Sequence, residues 1–543
     1  MEGVSLVTVI LILLIVVFAI LVLVPVGGLL YLYFLSRRPQ HSIIRAHPYL
    51  GWMRYLLEKM GPEFRQYWFD GDTQGKPFSR ADFLAVVFAS KYRTDLISFG
   101  AKRDYEKPGL YLSNDLFPKL VDELQVDHSS AEEGRKYRIV HEGLFTRREH
   151  QERDQPNKWM YPDRDAIVVG ADRNHPWVVK GMFGASATSY GAVGEHYIQS
   201  TGNGARMAGG SWINTGEGGV APDHLATGVD VVAQIGPGLF GYRDDEGNFS
   251  DEAFTALAQH ENIKAFELKF HQGAKIRGGH LEGSKVNHKI SQIRRVPIGK
   301  TVNSPNRFPF LKNSADALRF VEHLQALGGK PVGVKIVIGD GTKLDDWFST
   351  IKKMDIYPDF ITVDGSEGGS GATFKAMADG MGLPLFSALV LLDDACRRYG
   401  VRDRIRIFAS GKLVTSDKVA IALALGADCV NSARGFMMAN GCIMAMQCHT
   451  GKCPTGITTT DPRYQAALAP EEKQWRVMNY VLQMREGVFA LAAACGLESP
   501  RQLTREHVVF KNEYGRTVRM SELFPYPDTQ ETVLESETKG NLA

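Results

Sequence analysis

The sequence lacks an excess of either charge sign and is poor in cysteine. Its 543 residues include 63 Lys or Arg and 61 Asp or Glu, which leaves a formal net charge of +2. A protein that binds nucleic acid through its phosphates needs a basic surface, so this balance argues against a nucleic-acid partner. The six cysteines are unevenly spaced, with three inside twelve positions, which argues against a secreted disulfide scaffold.

Two common nucleotide-binding patterns are also missing. The chain has no G-x-x-x-x-G-K-[ST] sequence, so it does not contain a P-loop. It has no G-x-G-x-x-G that opens a helix directly after a strand, which argues against a built-in nicotinamide dinucleotide site.

Charge is absent from the beginning of the chain, between Val4 and Leu35. This apolar stretch is long enough to cross a bilayer of roughly 30 Å as one helix, so residues 1–38 are predicted to be a transmembrane anchor. A secretory signal peptide is the alternative, but the leader carries Glu2 with no Lys or Arg, and no Ala-x-Ala site follows. Arg37 and Arg38 predict a cytoplasmic body on a single-pass protein of the cell (inner) membrane.

The body of the chain alternates short aliphatic runs with helical patterns, as in a parallel α/β fold. Eight candidate strands occur near Val178, Ser211, Asp230, Ala265, Val332, Phe360, Ile405 and Asp428. They predict an α/β protein with a (β/α)8 TIM barrel over residues 161–510, preceded by an accessory N-terminal layer at 39–160 and followed by a polar tail at 511–543. Between two strands, Ser314 is expected to cap a helix in which Leu318, Val321, Leu324 and Leu327 fall near one face.

Glycine is abundant after most of these runs, where a barrel carries its reactive groups. The segments read GMFGAS, NTGEGG, QIGPGLFG, KFHQGAK, GSEGGSGA, ASGKLVT and NSARGF. Glycines in any one loop are explained by a tight turn, but seven such loops on one rim favour a bound ligand. The first loop adds Gly184, Ala185 and Ser186 as candidate cofactor contacts.

The loops after the last two strands are predicted to bind a phosphate, as they do in many barrels. The candidate residues are Ser410, Gly411, Lys412, Ala433, Arg434 and Gly435. Flavin mononucleotide (FMN) fits this arrangement, with Lys335 as a cation beside the ring, where reduction places negative charge. The alternative for Lys335 is a pair with a carboxylate inside the barrel.

Three cysteines are spaced C-x5-C-x4-C in GCIMAMQCHTGKCPTG: Cys442, Cys448 and Cys453. Thiolates this close in sequence can converge on one soft metal centre, and three ligands match an iron-sulfur cluster. Zinc with His449 as a fourth ligand, or three buried structural cysteines, are the alternatives.

These segments together resemble the FMN-binding synthase domain of glutamate synthases, over roughly residues 160 to 510. The segments that carry the resemblance are NTGEGG, FELKFHQGAK, VGVKIV, VDGSEGGSGA, ASGKLVT, ALGAD and GCIMAMQCHTGKCPTG, in this order. The resemblance implies FMN, a 3Fe-4S cluster on Cys442, Cys448 and Cys453, and reductive amination of 2-oxoglutarate through 2-iminoglutarate. It assigns Glu217, Lys269 and Gln272 to catalysis and substrate binding, and Gln234, Gly368 and Gly369 to flavin contacts.

Three departures from the family pattern limit what is carried over. QGAKIRGG is one residue shorter than the usual QGAKPGxGG, and Leu239 stands where large synthases have an Arg. No cysteine precedes Cys396, so the chain has no N-terminal amidotransferase nucleophile. Ammonia is therefore expected to come free or from a partner, and electrons from ferredoxin or a reductase subunit.

The expected function is thus a glutamate synthase-like oxidoreductase acting on 2-oxoglutarate or a related 2-oxo acid. An enzyme of the same fold for a different amine or 2-oxo acid is the first alternative. A membrane-tethered electron-transfer subunit without catalysis is the second.

Overall fold

The first element of the computed structural model, which describes residues 6–36, 42–273 and 279–527, is an apolar helix. This helix, α1, spans Leu6–Ser36, and its Val7–Phe34 segment is long and apolar enough to cross a membrane. None of its most apolar window is buried, and no other helix in the described ranges passes the same test. The flanking Arg37 and Arg38 lie outside the described residues. A membrane-spanning helix is thus compatible with the structure by length and composition.

Two further helices follow within the first of two compact units, which ends at Arg80. They are α2 (Ser42–Ala46) and α3 (Gly51–Phe64), and α3 runs directly into a π-helical turn at Arg65–Phe69. The second unit starts at Ala81, so the predicted accessory region 39–160 contributes to both units.

The remaining helices and strands extend from Arg80 to Leu523. In chain order they are α4 (Arg80–Tyr92), β1 (Gly109–Leu112), β2 (Gly134–Glu142), β3 (Arg147–Asp154), β4 (Ile167–Val169), β5 (Trp177–Val179), β6 (Phe183–Ala185), α5 (Glu195–Ala208), β7 (Trp212–Asn214), α6 (Pro222–Ala226), β8 (Asp230–Ile235), α7 (Asp251–Ala258), β9 (Ile263–Lys269), β10 (His280–Leu281), α8 (His288–Arg294), β11 (Val302–Asn303), α9 (Ser314–Gly328), β12 (Val332–Ile336), α10 (Thr342–Met354), β13 (Phe360–Asp364), α11 (Lys375–Gly380), α12 (Leu385–Arg398), β14 (Arg406–Ser410), α13 (Ser416–Ala424), β15 (Cys429–Ser432), α14 (Arg434–Ala439), α15 (Pro462–Gln465), α16 (Pro470–Ala494), β16 (Val508–Lys511), β17 (Thr517–Arg519) and α17 (Met520–Leu523).

Eight parallel strands close into a barrel in the order β6, β7, β8, β9, β12, β13, β14, β15, and β15 pairs back to β6. The predicted (β/α)8 barrel is therefore confirmed. The run near Val178 contains two strands rather than one: β5 pairs antiparallel with β4 outside the barrel, and β6 is the first barrel strand.

The strands of the barrel are buried on both faces, one inside the barrel and one beneath the helices. Most of their residues are therefore apolar, which explains the apolar runs in the sequence. All five residues of β13 and all but the first of β14 are buried. Helix α9 covers the outside with Leu318, Val321 and Leu324, which are fully buried as expected, whereas Leu327 is only partly buried. Its cap is Asn313, whose side chain accepts a hydrogen bond from the Asp316 N–H, and not Ser314, which is the first helical residue.

Segments from both ends of the second unit pack on the barrel. Helix α16 lies against α5, and the buried Asn479 of α16 donates to the carbonyls of Ser90 and Arg135 at 3.1 and 2.7 Å. Strand β16 pairs with β1 and β17, so the first part of the predicted tail 511–543 takes part in a sheet. Residues 528–543 lie outside the described residues.

One buried histidine is expected to make stability depend on pH. His224 in α6 is 1% exposed, and its Nδ1 accepts the Ala221 N–H at 2.9 Å. Burial lowers the pKa of His224 to about 4. In the unfolded chain this histidine is protonated below about pH 6.5, whereas in the folded chain it is protonated only below about pH 4. The free energy of unfolding therefore falls as the pH drops across this window.

We predict a loss of up to about 3 kcal/mol from this one group between pH 6.5 and 4. Urea unfolding followed by circular dichroism at several pH values measures it. His224→Gln keeps an acceptor but does not titrate, so its stability should fall less steeply with pH. His128→Gln, at an exposed position, is the control and should keep the slope of the parent chain. Equal slopes for all three proteins would contradict the prediction.

Candidate functional site

A cavity of about 400 Å³ opens at the mouth of the barrel formed by the carboxyl ends of its strands. Its size and position are typical of a small-molecule site in this fold. Nine residues predicted from the sequence line it: Glu217, Gln234, Lys269, Gln272, Lys335, Gly369, Ala433, Arg434 and Cys448. The structure thus gathers residues from distant segments of the chain around one space.

The three predicted catalytic residues are in direct contact. Lys269, the last residue of β9, lies 2.9 Å from a carboxylate oxygen of Glu217, in the loop after β7. The same ammonium donates to the side-chain oxygen of Gln272 at 2.9 Å. The side chains of Lys269 and Glu217 are only 8% and 12% exposed, so their charges interact in a partly dry environment. This trio can bind a polar substrate and move a proton.

Lys335 occupies the position next to Lys269 on the neighbouring strand β12. Its ammonium lies 3.4 Å from Asp364 at the end of β13, and both side chains are less than a tenth exposed. Asp364 also accepts the Gly273 N–H at 2.8 Å. Lys335 therefore pairs with a carboxylate inside the barrel, as the alternative interpretation expects, and it also lines the cavity.

A buried carboxylate orients Gln234 beneath the cavity. Glu267, 1% exposed, accepts hydrogen bonds from the amide nitrogens of Gln234 and Asn214 at 2.5 and 2.8 Å, and from the Thr362 hydroxyl at 2.6 Å. Because a carboxylate only accepts, the amide nitrogen of Gln234 must face Glu267. The carbonyl oxygen of Gln234 then remains for a ligand in the cavity.

Arg294 is a cavity residue that the sequence interpretation missed. It is 6% exposed, ends α8 and donates to the Tyr190 carbonyl at 2.8 Å, while its Nε has no hydrogen-bond partner among the described residues. Burial lowers the pKa of Arg294 to about 10, opposed by the charge of Glu217. A buried guanidinium with an unused donor favours an anionic ligand such as a carboxylate.

Only part of the predicted phosphate-binding site lines the cavity. Ala433 and Arg434 do so, whereas Ser410, Gly411, Lys412 and Gly435, as well as Gly368, are absent from its wall. Gly184, Ala185 and Ser186 lie on or just after β6 behind the wall, and the hydroxyl of Ser186 is 3.3 Å from that of Ser410. The loops after β6 and β14 therefore meet, and the cavity wall includes Ala187 and Thr188 of the first loop but no residue of the second.

Two of the predicted cofactor glycines pack closely against buried aromatic side chains. A β-carbon on Gly184 would lie 2.3 Å from the Trp212 ring, and one on Gly435 would lie 2.2 Å from the Tyr480 hydroxyl. Real β-carbons do not approach this closely, so both positions need glycine whether or not a ligand binds.

The cysteine loop adjoins the cavity through Cys448, whose sulfur lies 3.4 Å from the Arg434 guanidinium. Burial raises the pKa of Cys442, and the charges of Cys448 and Cys453 raise it further, so the three thiols are electrostatic neighbours. Burial also raises the pKa of Cys453, but hydrogen bonds from Thr455 and Thr458 outweigh it and lower the pKa to about 7.

Cysteine thiols are the usual ligands of iron-sulfur groups, so these three residues fit such a group by residue type. Across the described ranges, no three His, Cys, Asp or Glu side chains are arranged to hold a metal ion. The shortened QGAKIRGG rim falls on residues 274–278, outside the described residues.

Comparisons with known proteins match most of this chain. A family model described as a conserved region in glutamate synthase matches residues 121–498. The glutamate synthase large subunit-like protein YerD of Bacillus subtilis is 46% identical over 505 residues, which are 93% of this chain and 96% of that protein.

More distant similarity extends to other proteins. An archaeal-type glutamate synthase (NADPH) of Dehalococcoides mccartyi is 32% identical over 295 residues, 54% of this chain; the match spans 56% of that relative's length. Among solved structures, a mutant flavocytochrome b2 with benzoylformate has a TM-score of 0.43 at 13% identity, covering 79% of this chain and 80% of that one.

We predict that the Glu267 carboxylate is needed to satisfy its three buried donors. Glu267→Leu leaves those donors without an acceptor and should lower the free energy of unfolding by about 3 kcal/mol or more. Glu267→Gln keeps one acceptor oxygen and should cost less, about 1 kcal/mol. Urea unfolding monitored by circular dichroism measures the free energy of unfolding of both variants. An equal decrease in the two variants would show that the hydrogen bonds accepted by Glu267 do not determine its contribution to stability.

Proposed function

The chain belongs to the glutamate synthase family, and we propose that it makes glutamate, or a related amino acid, from a 2-oxo acid and ammonia. As a family member it is an oxidoreductase that acts on CH–NH2 donors. The observation that supports the proposal most is the contact of Glu217, Lys269 and Gln272 inside one cavity of the barrel mouth. A non-catalytic subunit would have no need of this buried polar trio.

The reaction joins ammonia to the carbonyl carbon of 2-oxoglutarate with loss of water, and the resulting 2-iminoglutarate gains a hydride and a proton to become glutamate. The hydride is the chemistry that FMN would supply when bound and reduced. Lys269 pairs with a carboxylate of the substrate, and Gln272 holds its carbonyl or imine group. Glu217, held 2.9 Å from the Lys269 ammonium, carries the proton that accompanies amination.

Arg294 completes the substrate site as an anchor for a carboxylate. Among the described residues it has no acidic partner at ion-pair distance, in contrast to Lys269 and Lys335. A dicarboxylate such as 2-oxoglutarate would supply the missing negative charge. Leu239, which stands where large synthases have an Arg, is 4% exposed, and Arg294 offers a guanidinium in this cavity instead.

The residues present fit FMN at the ring and less completely at the phosphate. Gln234 presents a carbonyl oxygen and Lys335 a cation toward the cavity, and Ala433 and Arg434 line its wall near the predicted phosphate-binding site. Ser410, Gly411, Lys412 and Gly435 would complete that site from the adjoining loops, with Gly184, Ala185, Ser186, Gly368 and Gly369 around it.

Cys442, Cys448 and Cys453 would hold a 3Fe-4S cluster through which electrons arrive from ferredoxin or a reductase subunit. The position of Cys448 on the cavity wall supports this role. Ammonia would arrive free or from a separate partner. Helix α1 would anchor the protein in the inner membrane as a single span, with the body in the cytoplasm, as Arg37 and Arg38 suggest.

The activity is tested by incubating the purified membrane protein with 2-oxoglutarate, ammonium and chemically reduced ferredoxin. We expect glutamate to form, and Glu217→Gln to lower the rate at least about 100-fold because a proton-transfer group is lost. Flavin content should stay unchanged in that variant. Glu261→Gln, at an exposed position before β9, is the control and should be fully active. An active Glu217→Gln variant would remove that residue from the mechanism, and a parent protein without product would overturn the reaction.

The cofactors are tested by absorbance and EPR spectra with metal analysis of anaerobic preparations. We expect FMN in the parent protein and an iron signal that Cys448→Ser removes. Cys495→Ser, a buried cysteine distant in sequence from the loop, should retain it. Zinc in place of iron, or an unchanged iron signal in Cys448→Ser, would contradict the cluster assignment.

A further inference from the structure

Helix α3 exposes an apolar face shortly after the apolar helix α1. Its exposed apolar residues recur at helical spacing and therefore fall on one side, with side chains 40% to 57% exposed: Trp52, Met53, Leu56, Leu57 and Met60. The opposite side carries Arg54 and Glu58, which form an i,i+4 ion pair at 3.4 Å. The helix is thus amphipathic, and its apolar side is exposed on the first unit.

The apolar face continues into the turn that follows. Phe64 contacts the rings of Trp68 and Phe69 at centroid distances of 6.4 and 6.5 Å. Tyr67, Trp68 and Phe69 are 53%, 78% and 75% exposed. Soluble surfaces rarely expose so many large apolar side chains together, whereas Trp and Tyr are enriched where a bilayer meets water.

The charge of this part of the chain complements an anionic lipid surface. Between residues 37 and 69 the sequence has six Lys or Arg and two Glu. Basic residues beside an apolar helix face are the usual composition of a segment that lies on anionic headgroups. A hydrophobic protein partner would account for the apolar face but not for this excess of positive charge.

The chain between the two helices keeps α3 near any membrane that α1 crosses. Ser36 ends α1 and Gly51 begins α3, so the segment between them reaches about 50 Å at most when fully extended. Helix α2 lies within this segment and packs closely on α3, since a β-carbon on Gly51 would lie 2.8 Å from the Ile43 carbonyl oxygen. The amphipathic segment is therefore confined to the vicinity of the bilayer surface.

We propose that residues 42–69 form an interfacial segment that lies flat on the anionic surface of the bilayer, with the apolar face of α3 and the aromatic turn inserted among the headgroups. This inference rests on the proposed membrane anchoring by α1. It assigns to the first unit a second membrane contact in addition to the spanning helix, and it makes lipid the occupant of the exposed face.

The test reconstitutes the full chain in vesicles of phosphatidylcholine and phosphatidylglycerol in which part of the phosphatidylcholine carries bromine at carbons 6 and 7. Bromine at this shallow depth quenches tryptophans that sit just below the headgroups. We expect strong quenching in the parent protein, and at least a twofold smaller quenched fraction in Trp52→Phe/Trp68→Phe. Trp475→Phe, which replaces a tryptophan that is 9% exposed, is the matched control and should be quenched like the parent.

The same vesicles are extracted with alkaline carbonate to separate this inference from the anchoring on which it rests. A chain that resists extraction but shows equal quenching in all three proteins keeps the anchor and overturns the interfacial segment. A chain that is extracted overturns both. Quenching that is weak in dilute vesicles, with Trp52 and Trp68 instead shielded as protein density rises, would show that a second copy of the chain covers the face, and would also overturn the proposal.

Discussion

The candidate site depends on the charge balance of two buried lysines that lie side by side. Lys269 and Lys335 are paired residues on the adjacent parallel strands β9 and β12, so both side chains point to the same side of the sheet. Two neighbouring ammonium groups repel each other strongly when water is excluded. Each is compensated separately, by Glu217 and by Asp364, and removing either acid would leave a buried charge at a cost of about 3 to 5 kcal/mol. This requirement fixes the loop after β7 and the end of β13 around the cavity.

Much of the fold could be predicted because barrel strands, buried on both faces, appear as short apolar runs separated by helical patterns. This sequence pattern does not separate neighbouring strands that are too short to show a periodicity of their own. Strands β5 and β6 are three residues each and follow one another closely, so one apolar run near Val178 contains a strand outside the barrel and a strand inside it. Asn313 and Ser314 are both good caps, and only the extended backbone of Asn313 decides between them.

The site was predicted where its residues follow strands and missed where they do not. Gln234 and Lys269 lie at strand ends, which converge in a barrel, so the rule that locates chemistry there reaches them. Arg294 instead comes from α8, within an excursion between β9 and β12, and the adjacent Arg295 looks the same in sequence. What separates them is the backbone: Arg295 adopts a left-handed φ of +53° as α8 ends, while Arg294 turns inward. Glycines needed for packing, such as Gly184 against Trp212, likewise cannot be told apart in sequence from glycines needed by a ligand.

The opposite end of the barrel explains why all of this chemistry lies at one mouth. Trp177 and Trp212 meet edge to face at 5.5 Å, and Trp177 stacks on Phe408 at 6.0 Å, which fills the barrel below the site with fully buried rings. At this end of the barrel Arg485 of α16 is buried, and its guanidinium donates hydrogen bonds to the carbonyls of Lys158, Ala208 and Gly209. Burial lowers the pKa of Arg485 to about 9, yet it keeps its charge at neutral pH and with it the strength of these hydrogen bonds. This end of the barrel is filled by packed aromatic side chains and a charged group, whereas the cavity lined by Glu217, Lys269 and Arg294 lies at the opposite mouth.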